Sequence, residues 1–268
     1  MSREYSLAHL SMIAVPPARM ADVAAGAGFE WFSLRLTPSP STGVDHGHVG
    51  DDRALEALRR HIESSGSALL DLEVVRMKGP DSVREALPLL DAAQALGARY
   101  VIATVEDADP VRRVETLASL CEEAARRETS VAVEFMMFTS SPTLVDCIDV
   151  VRASGAANAV VLPDVLHLVR SGGTLEQLAA TDPALIPYAQ ICGAHGGGPA
   201  PDPDAARAEG VRARLMPDEG DLPVRDFVAA LPPSTIISVE APLAGQADPA
   251  DPQALAVAMM AAGRRVSA

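Results

Sequence analysis

Apolar and polar positions alternate along this chain in two textures. Short apolar runs occupy residues 5–10 (YSLAHL), 29–36 (FEWFSLRL), 67–77 (SALLDLEVVRM), 98–105 (ARYVIATV), 130–136 (SVAVEFM), 158–164 (NAVVLPD), 187–194 (PYAQICGA) and 235–242 (TIISVEAP). Between them lie stretches whose apolar residues recur every three or four positions, at 16–28, 51–66, 81–97, 109–128, 141–155, 174–180, 221–231 and 251–265. The first texture predicts buried strands and the second amphipathic helices. Many helical stretches open on Asp, Ser, Thr or Pro. Several close at Gly28, Gly66, Gly97 or Gly155, as helix stops require.

Eight strand–helix units over 268 residues is the arithmetic of a (β/α)8 TIM barrel of the α/β class, with residues 1–268 as a single domain. A doubly wound open sheet competes. It would often carry a glycine-rich first turn, but HLSMIAVPP holds no G-x-G-x-x-G. Two loops interrupt the regular spacing, 37–51 after the second strand and 195–220 after the seventh. In a barrel both emerge on the C-terminal face, where active sites sit.

Composition narrows the function classes. A net charge of −14 with no Lys/Arg cluster argues against a nucleic-acid partner. Cys121, Cys147 and Cys192 are odd in number and widely spaced, so no disulfide framework is expected; Cys121 and Cys147 read as small buried hydrophobes. MSREYSLAHL is too polar for a signal peptide, and no apolar run approaches the roughly 20 residues of a membrane span. A soluble, cytoplasmic protein is expected. Its partner is a small molecule, with self-association into a homo-oligomer left open.

The chemistry should sit where strands stop being apolar. Glu134, Asp164, Gln190 and Glu240 each stand near the end of one of four successive apolar runs, and His167 follows Asp164 by one helical turn. Taken singly, each has a plain reading, pointing outward or pairing with a cation. Taken together, three carboxylates at one barrel mouth repel and lose hydration, and a divalent cation resolves the conflict. Carboxylate and amide oxygens suit Mg, Mn or a similar ion.

This set, Glu134, Asp164-x-x-His167, Gln190 and Glu240, together with the loop Arg214-x-x-Pro217-x-Glu219-Gly220, resembles the xylose-isomerase-like sugar isomerase/epimerase superfamily over essentially the whole chain. The resemblance implies one divalent ion (Mn, Mg, Co or Zn) held by Glu134, Asp164, Gln190 and Glu240. His167 would contact substrate beside the metal, its plain alternative being a helix-capping role. Arg214 would bind a substrate hydroxyl, carboxylate or phosphate, its alternatives a solvated loop arginine or an ion pair with Glu219. Two departures stand out. Relatives with Gln on strand 7 often carry Asp where this chain has Gly193. Asp218 takes the first glycine position of a usual P-G-x-G, which a left-handed Asp would allow.

His9, Arg35, Glu73 and Arg76 add further polar groups at the ends of strands 1 to 3, as candidate substrate contacts. Arg35 and Arg76 suit an anionic group, and Glu73 with Arg76 suits a rim ion pair. His46 and His48, in D-H-G-H, read as solvated or lid residues.

Such a site suits proton abstraction beside a carbonyl through a metal-stabilised enediolate, with Glu134 and Glu240 as acid and base. The expected activity is a metal-dependent isomerase or epimerase of a small keto-sugar or related polyhydroxy carbonyl compound. The alternative is a carbon–oxygen lyase, of the inosose- or dehydroshikimate-dehydratase type or eliminating a β-linked group. A barrel phosphodiesterase related to endonuclease IV would need a His-rich zinc cluster, and six histidines, few at strand ends, fit it poorly. A non-enzymatic binding module is the remaining class.

Overall fold

The computed structural model describes residues 3–38 and 42–268, so Ser39, Pro40 and Ser41 of the first long loop lie outside the described residues. Eight strands form one all-parallel sheet: β1 (Tyr5–Leu7), β2 (Trp31–Arg35), β3 (Ala68–Met77), β4 (Tyr100–Val105), β5 (Ser130–Glu134), β6 (Ala159–Leu162), β7 (Tyr188–Ile191) and β8 (Ile236–Val239). The spatial order runs β6-β5-β4-β3-β2-β1-β8-β7. An isolated parallel bridge between Asp164 and Gln190 joins the two ends of that order, and the fold is a TIM barrel.

Among the described residues, ten α-helices follow the strands: α1 (Pro17–Ala27), α2 (Asp52–Ser65), α3 (Asp81–Leu96), α4 (Pro110–Ala125), α5 (Leu144–Ser154), α6 (Val165–Arg170), α7 (Leu175–Ala179), α8 (Pro203–Arg212), α9 (Val224–Ala230) and α10 (Pro252–Val266). Gly28, Gly66, Gly97 and Gly155 end α1, α2, α3 and α5 in the left-handed conformation, as the sequence predicts. Two boundaries differ from the sequence reading. The first strand stops at Leu7, and His9–Met12 form a 3-10 turn. The second long loop contains α8, opened by Asp202, whose side chain accepts from the Ala205 N–H.

Strand periodicity sorts the core. Leu70, Ile102, Ala132, Leu162, Tyr188 and Ile236 form one cluster, while their chain neighbours Leu69, Val101, Val131, Val161, Ala189 and Ile237 belong to the larger one shared with the helices. Successive side chains of a strand face opposite ways, so the smaller cluster fills the barrel interior. Two residues further along lie Thr104, Glu134, Asp164 and Gln190, and four beyond Ile236 lies Glu240. The polar residues are thus the next inward positions above an apolar plug. The three cysteines are free and buried, and burial pushes the Cys121 thiol up to about 12.

Candidate active site

One pocket of about 310 Å³ opens on this polar layer, lined among others by Arg35, Glu73, Arg76, Glu134, His167, Arg214 and Glu240. Glu134 is the last residue of β5, Asp164 follows β6, Gln190 lies within β7 and Glu240 follows β8. All four are buried.

Asp164 has two protein partners. Its Oδ1 accepts the Leu166 N–H at 2.7 Å and so caps α6, and its Oδ2 accepts from Arg214 Nη1 at 2.6 Å. Arg214 also places Nη2 2.9 Å from Glu240 Oε2. Gln190 Nε2 donates to Glu240 Oε1 at 3.1 Å, and Gln190 Oε1 is buried with no hydrogen-bond partner. Glu134 faces His167, with 3.7 Å between Oε1 and Nε2. Glu134, Asp164 and His167 each bring one potential ligand atom within 4.8 Å of the others, a group able to hold a metal ion.

Burial dominates the electrostatics. It raises Glu134 well above the usual carboxylate range, reinforced by the charges of Glu240 and Asp164. It pushes Glu240 up to about 7, partly offset by Arg214. It lowers His167 to about 4, which keeps the imidazole neutral at physiological pH.

The sequence expectations meet this geometry unevenly. Arg214 is neither solvated nor paired with Glu219; its guanidinium is buried between Asp164 and Glu240. His9 is buried but does not line the pocket. Its Nε2 meets the Val15 carbonyl at 2.8 Å and its Nδ1 accepts the Arg35 N–H at 3.0 Å, so both ring nitrogens are occupied by backbone. Glu73 pairs with Arg35 at 2.8 Å rather than with Arg76, and Arg76 pairs with Glu106 at 3.3 Å. His46 is not merely solvated: its Nε2 meets the Ile13 carbonyl and its ring stacks on His9 at 5.0 Å.

Both departures in the Arg214 loop have physical causes. Gly193 and Leu215 exchange backbone hydrogen bonds, and a Cβ at Gly193 would lie 2.2 Å from the Glu219 carbonyl oxygen. No side chain fits there. Asp218 does not adopt a left-handed backbone; Gly220 does, at φ 78°, and Asp218 instead pairs with Arg265.

Sequence reasoning missed the cover over the site. Arg207 of α8 stacks its guanidinium 4.3 Å above the Phe138 ring, and Phe138 meets His167 edge-on at 5.8 Å. Arg170 holds this cover in place. It pairs with Glu209 of α8 and donates to the carbonyls of His195, Gly196 and Gly198. The Asp-Pro start of α8 is the signal also seen at α4 and α10, but few apolar residues follow it.

A xylose isomerase-like TIM barrel family model matches residues 21–262. The chain belongs to that family. Solved structures with the same fold include the IolI protein with a bound zinc atom, at a TM-score of 0.82 and 14% identity, covering 98% of this chain and 97% of that one. The probable 3-DHS dehydratase AsbF of Bacillus anthracis follows at 0.73 and 14%, with coverages of 96% and 97%. A D-allulose 3-epimerase of Methylomonas sp. aligns at 0.69 and 15%, with coverages of 99% and 100%. No curated protein matches the chain in sequence. At these identities the structural likeness speaks to fold alone. Two of these structures are described as a probable dehydratase and an epimerase.

Proposed function

We propose that the chain is a divalent-metal-dependent isomerase or epimerase of a small keto-sugar or related polyhydroxy carbonyl compound. The observation that carries this reading is the pairing of Glu134 and Glu240. Both are buried, both line one pocket, and burial disfavours the charged form of each. Two buried carboxyl groups lining one pocket can serve as the proton acceptor and proton donor that a carbon acid requires.

Glu134, Asp164, Gln190 and Glu240 would hold the ion, with His167 beside them. The fit rests on Gln190 Oε1, a buried amide oxygen without a partner, and on the carboxylates of Glu134 and Asp164, which bring potential ligand atoms within 4.8 Å of each other. Oxygen donors suit Mg or Mn, and carboxylates also bind Co or Zn. When bound, the ion polarises a carbonyl and acidifies the adjacent C–H. Asp164 and Glu240 would be shared between the ion and Arg214.

The protein's own groups then divide the work. One of Glu134 and Glu240 removes the proton and the other returns it, from strands at separate points of the barrel wall. Return to the same carbon gives an epimer, and to the neighbouring carbon an isomer. Neutral His167 hydrogen-bonds a substrate hydroxyl, and Arg35, Glu73, Arg76 and Arg214 bind the rest of the molecule. His9 supports Arg35 from behind through the Arg35 N–H.

The test is incubation with a panel of ketoses, inososes and keto acids in D2O. The proposal expects deuterium uptake next to the carbonyl, without net loss of water, and its suppression by chelator. Net dehydration would assign the lyase reaction instead. Absence of exchange with every compound, with or without added divalent ion, would contradict both.

A further inference from the structure

The pocket carries more cationic than anionic side chains in an otherwise acidic protein. Arg35, Arg76, Lys78, Arg207 and Arg214 line it, against Glu73, Glu106, Glu134 and Glu240. Glu73 is taken by Arg35, and Glu106 is shared between Arg76 at 3.3 Å and Lys78 at 3.8 Å. Arg207 has no carboxylate partner among the described residues; only the Phe138 ring and carbonyl oxygen engage it. Arg35 Nε is buried with no hydrogen-bond partner.

These cations converge. Arg76 is held below the usual arginine range first by burial, then by the nearby charges of Arg35 and Arg207. Like charges brought together from β2, β3 and α8 repel one another, and an isolated surface would let them spread. Here each is fixed: Arg35 by Glu73, Arg76 by Glu106, and Arg207 by its seat on Phe138. A planar guanidinium with unused donors is the protein's usual partner for a carboxylate or phosphate.

We propose that the substrate carries an anionic end group, a carboxylate or a phosphate, held at the pocket mouth by Arg35, Arg76 and Arg207. Its carbonyl end then faces Glu134 and Glu240 on the pocket floor. This rests on the reading of the floor as the reacting end, and it narrows that substrate class to keto-sugars or related compounds that carry an acid or phosphate group. Arg207 is a specificity residue delivered by α8, and the Arg170–Glu209 pair is what keeps it over the site.

Three unreactive six-carbon ligands separate the possibilities: glucitol, gluconate and glucitol 6-phosphate. None has an aldehyde or ketone, so calorimetric binding is read without turnover and stands whether or not the proton-transfer proposal survives. The expected result is binding of gluconate or of glucitol 6-phosphate tighter than glucitol by on the order of tenfold or more, the weight of one hydrogen bond to a charged group. The tighter of the two identifies the anion. That preference should fall in Arg76→Gln and in Arg207→Gln, and with added NaCl. Arg207 is exposed, so its variant should melt like the wild type. Equal binding of all three ligands would overturn the proposal. So would a preference that survives in both variants, which would place the anion on the carboxylate-rich floor, bound through a metal.

Discussion

Arg214 Nη1 donates to Asp164 Oδ2 at 2.6 Å, and neither side chain is more than 2% exposed. This pair links the loop after β7 to the end of β6 and puts a fixed positive charge beside the candidate acid–base groups. Removing one partner of a buried ion pair leaves the other charge uncompensated, typically at a cost of about 3–5 kcal/mol. Arg214→Gln should therefore melt well below the wild type. Added Mn2+ should recover more of the loss in the variant than it adds to the wild type, because an ion supplies the missing charge to Asp164 and Glu240. Calorimetric melts with and without Mn2+ check this, and an unchanged melt for the variant would show that the pair contributes nothing.

Gly193→Ala should displace the loop that carries Arg214. A Cβ there would meet the carbonyl oxygens of Glu219 at 2.2 Å and Met216 at 2.3 Å, both of them backbone atoms that cannot swing away. Overpacking of this kind costs about 1–3 kcal/mol. Activity should fall further than stability alone explains, since Arg214 moves with the loop. Gly193→Asp, the residue often found in relatives, should be worse than Gly193→Ala. Thermal melts paired with kcat/KM measure both effects; a fully active, wild-type-like Gly193→Asp would contradict this account of the glycine.

His9 predicts an acid limb in stability. Its Nε2 meets the Val15 carbonyl and its Nδ1 accepts the Arg35 N–H, so the neutral ring with hydrogen on Nε2 is the fitting form. Protonating Nδ1 would set two donors against each other. Burial lowers the folded-state value from 6.5 to about 3, so between those values the unfolded chain binds a proton that the folded chain refuses. The stabilisation is complete above pH 6.5 and is lost as the pH falls toward 3. In urea titrations across that range, the stability difference between wild type and His9→Asn should shrink by about 1.4 kcal/mol per pH unit. A pH-independent difference would mean that His9 charges in place.

Much of this was legible in the sequence because the barrel interior obeys a period of two. The apolar residue below each polar one, Ala132 below Glu134, Leu162 below Asp164 and Tyr188 below Gln190, made the strand ends readable. The glycine helix stops were legible for the same local reason. What could not be read is which side chains meet across the ring. Arg214 and Asp164 are fifty positions apart, and their contact depends on a loop docking on Gly193. The end of strand 1 was misleading for the same reason. His9 has the look of a strand-end substrate contact, but β1 stops two residues earlier and a 3-10 turn buries its ring against backbone. The polar helix α8, which brings Arg207 over the site, lacks the apolar stripe on which helix recognition depends.

Proton transfer by Glu134 and Glu240 at a metal-supported site is the central claim, and one comparison tests it most directly. Solvent-deuterium exchange into an active substrate is measured at saturating Mn2+ for wild type, Glu134→Gln and Glu240→Gln, with bound Mn2+ quantified in each sample. An amide keeps an oxygen for the ion but cannot accept a proton. General acid–base catalysis contributes about 10²- to 10⁴-fold, so both variants should lose exchange on that scale while still holding Mn2+. Exchange within a few-fold of wild type in Glu240→Gln would contradict the account, leaving Glu240 to position the ion and Arg214 while another group moves the proton.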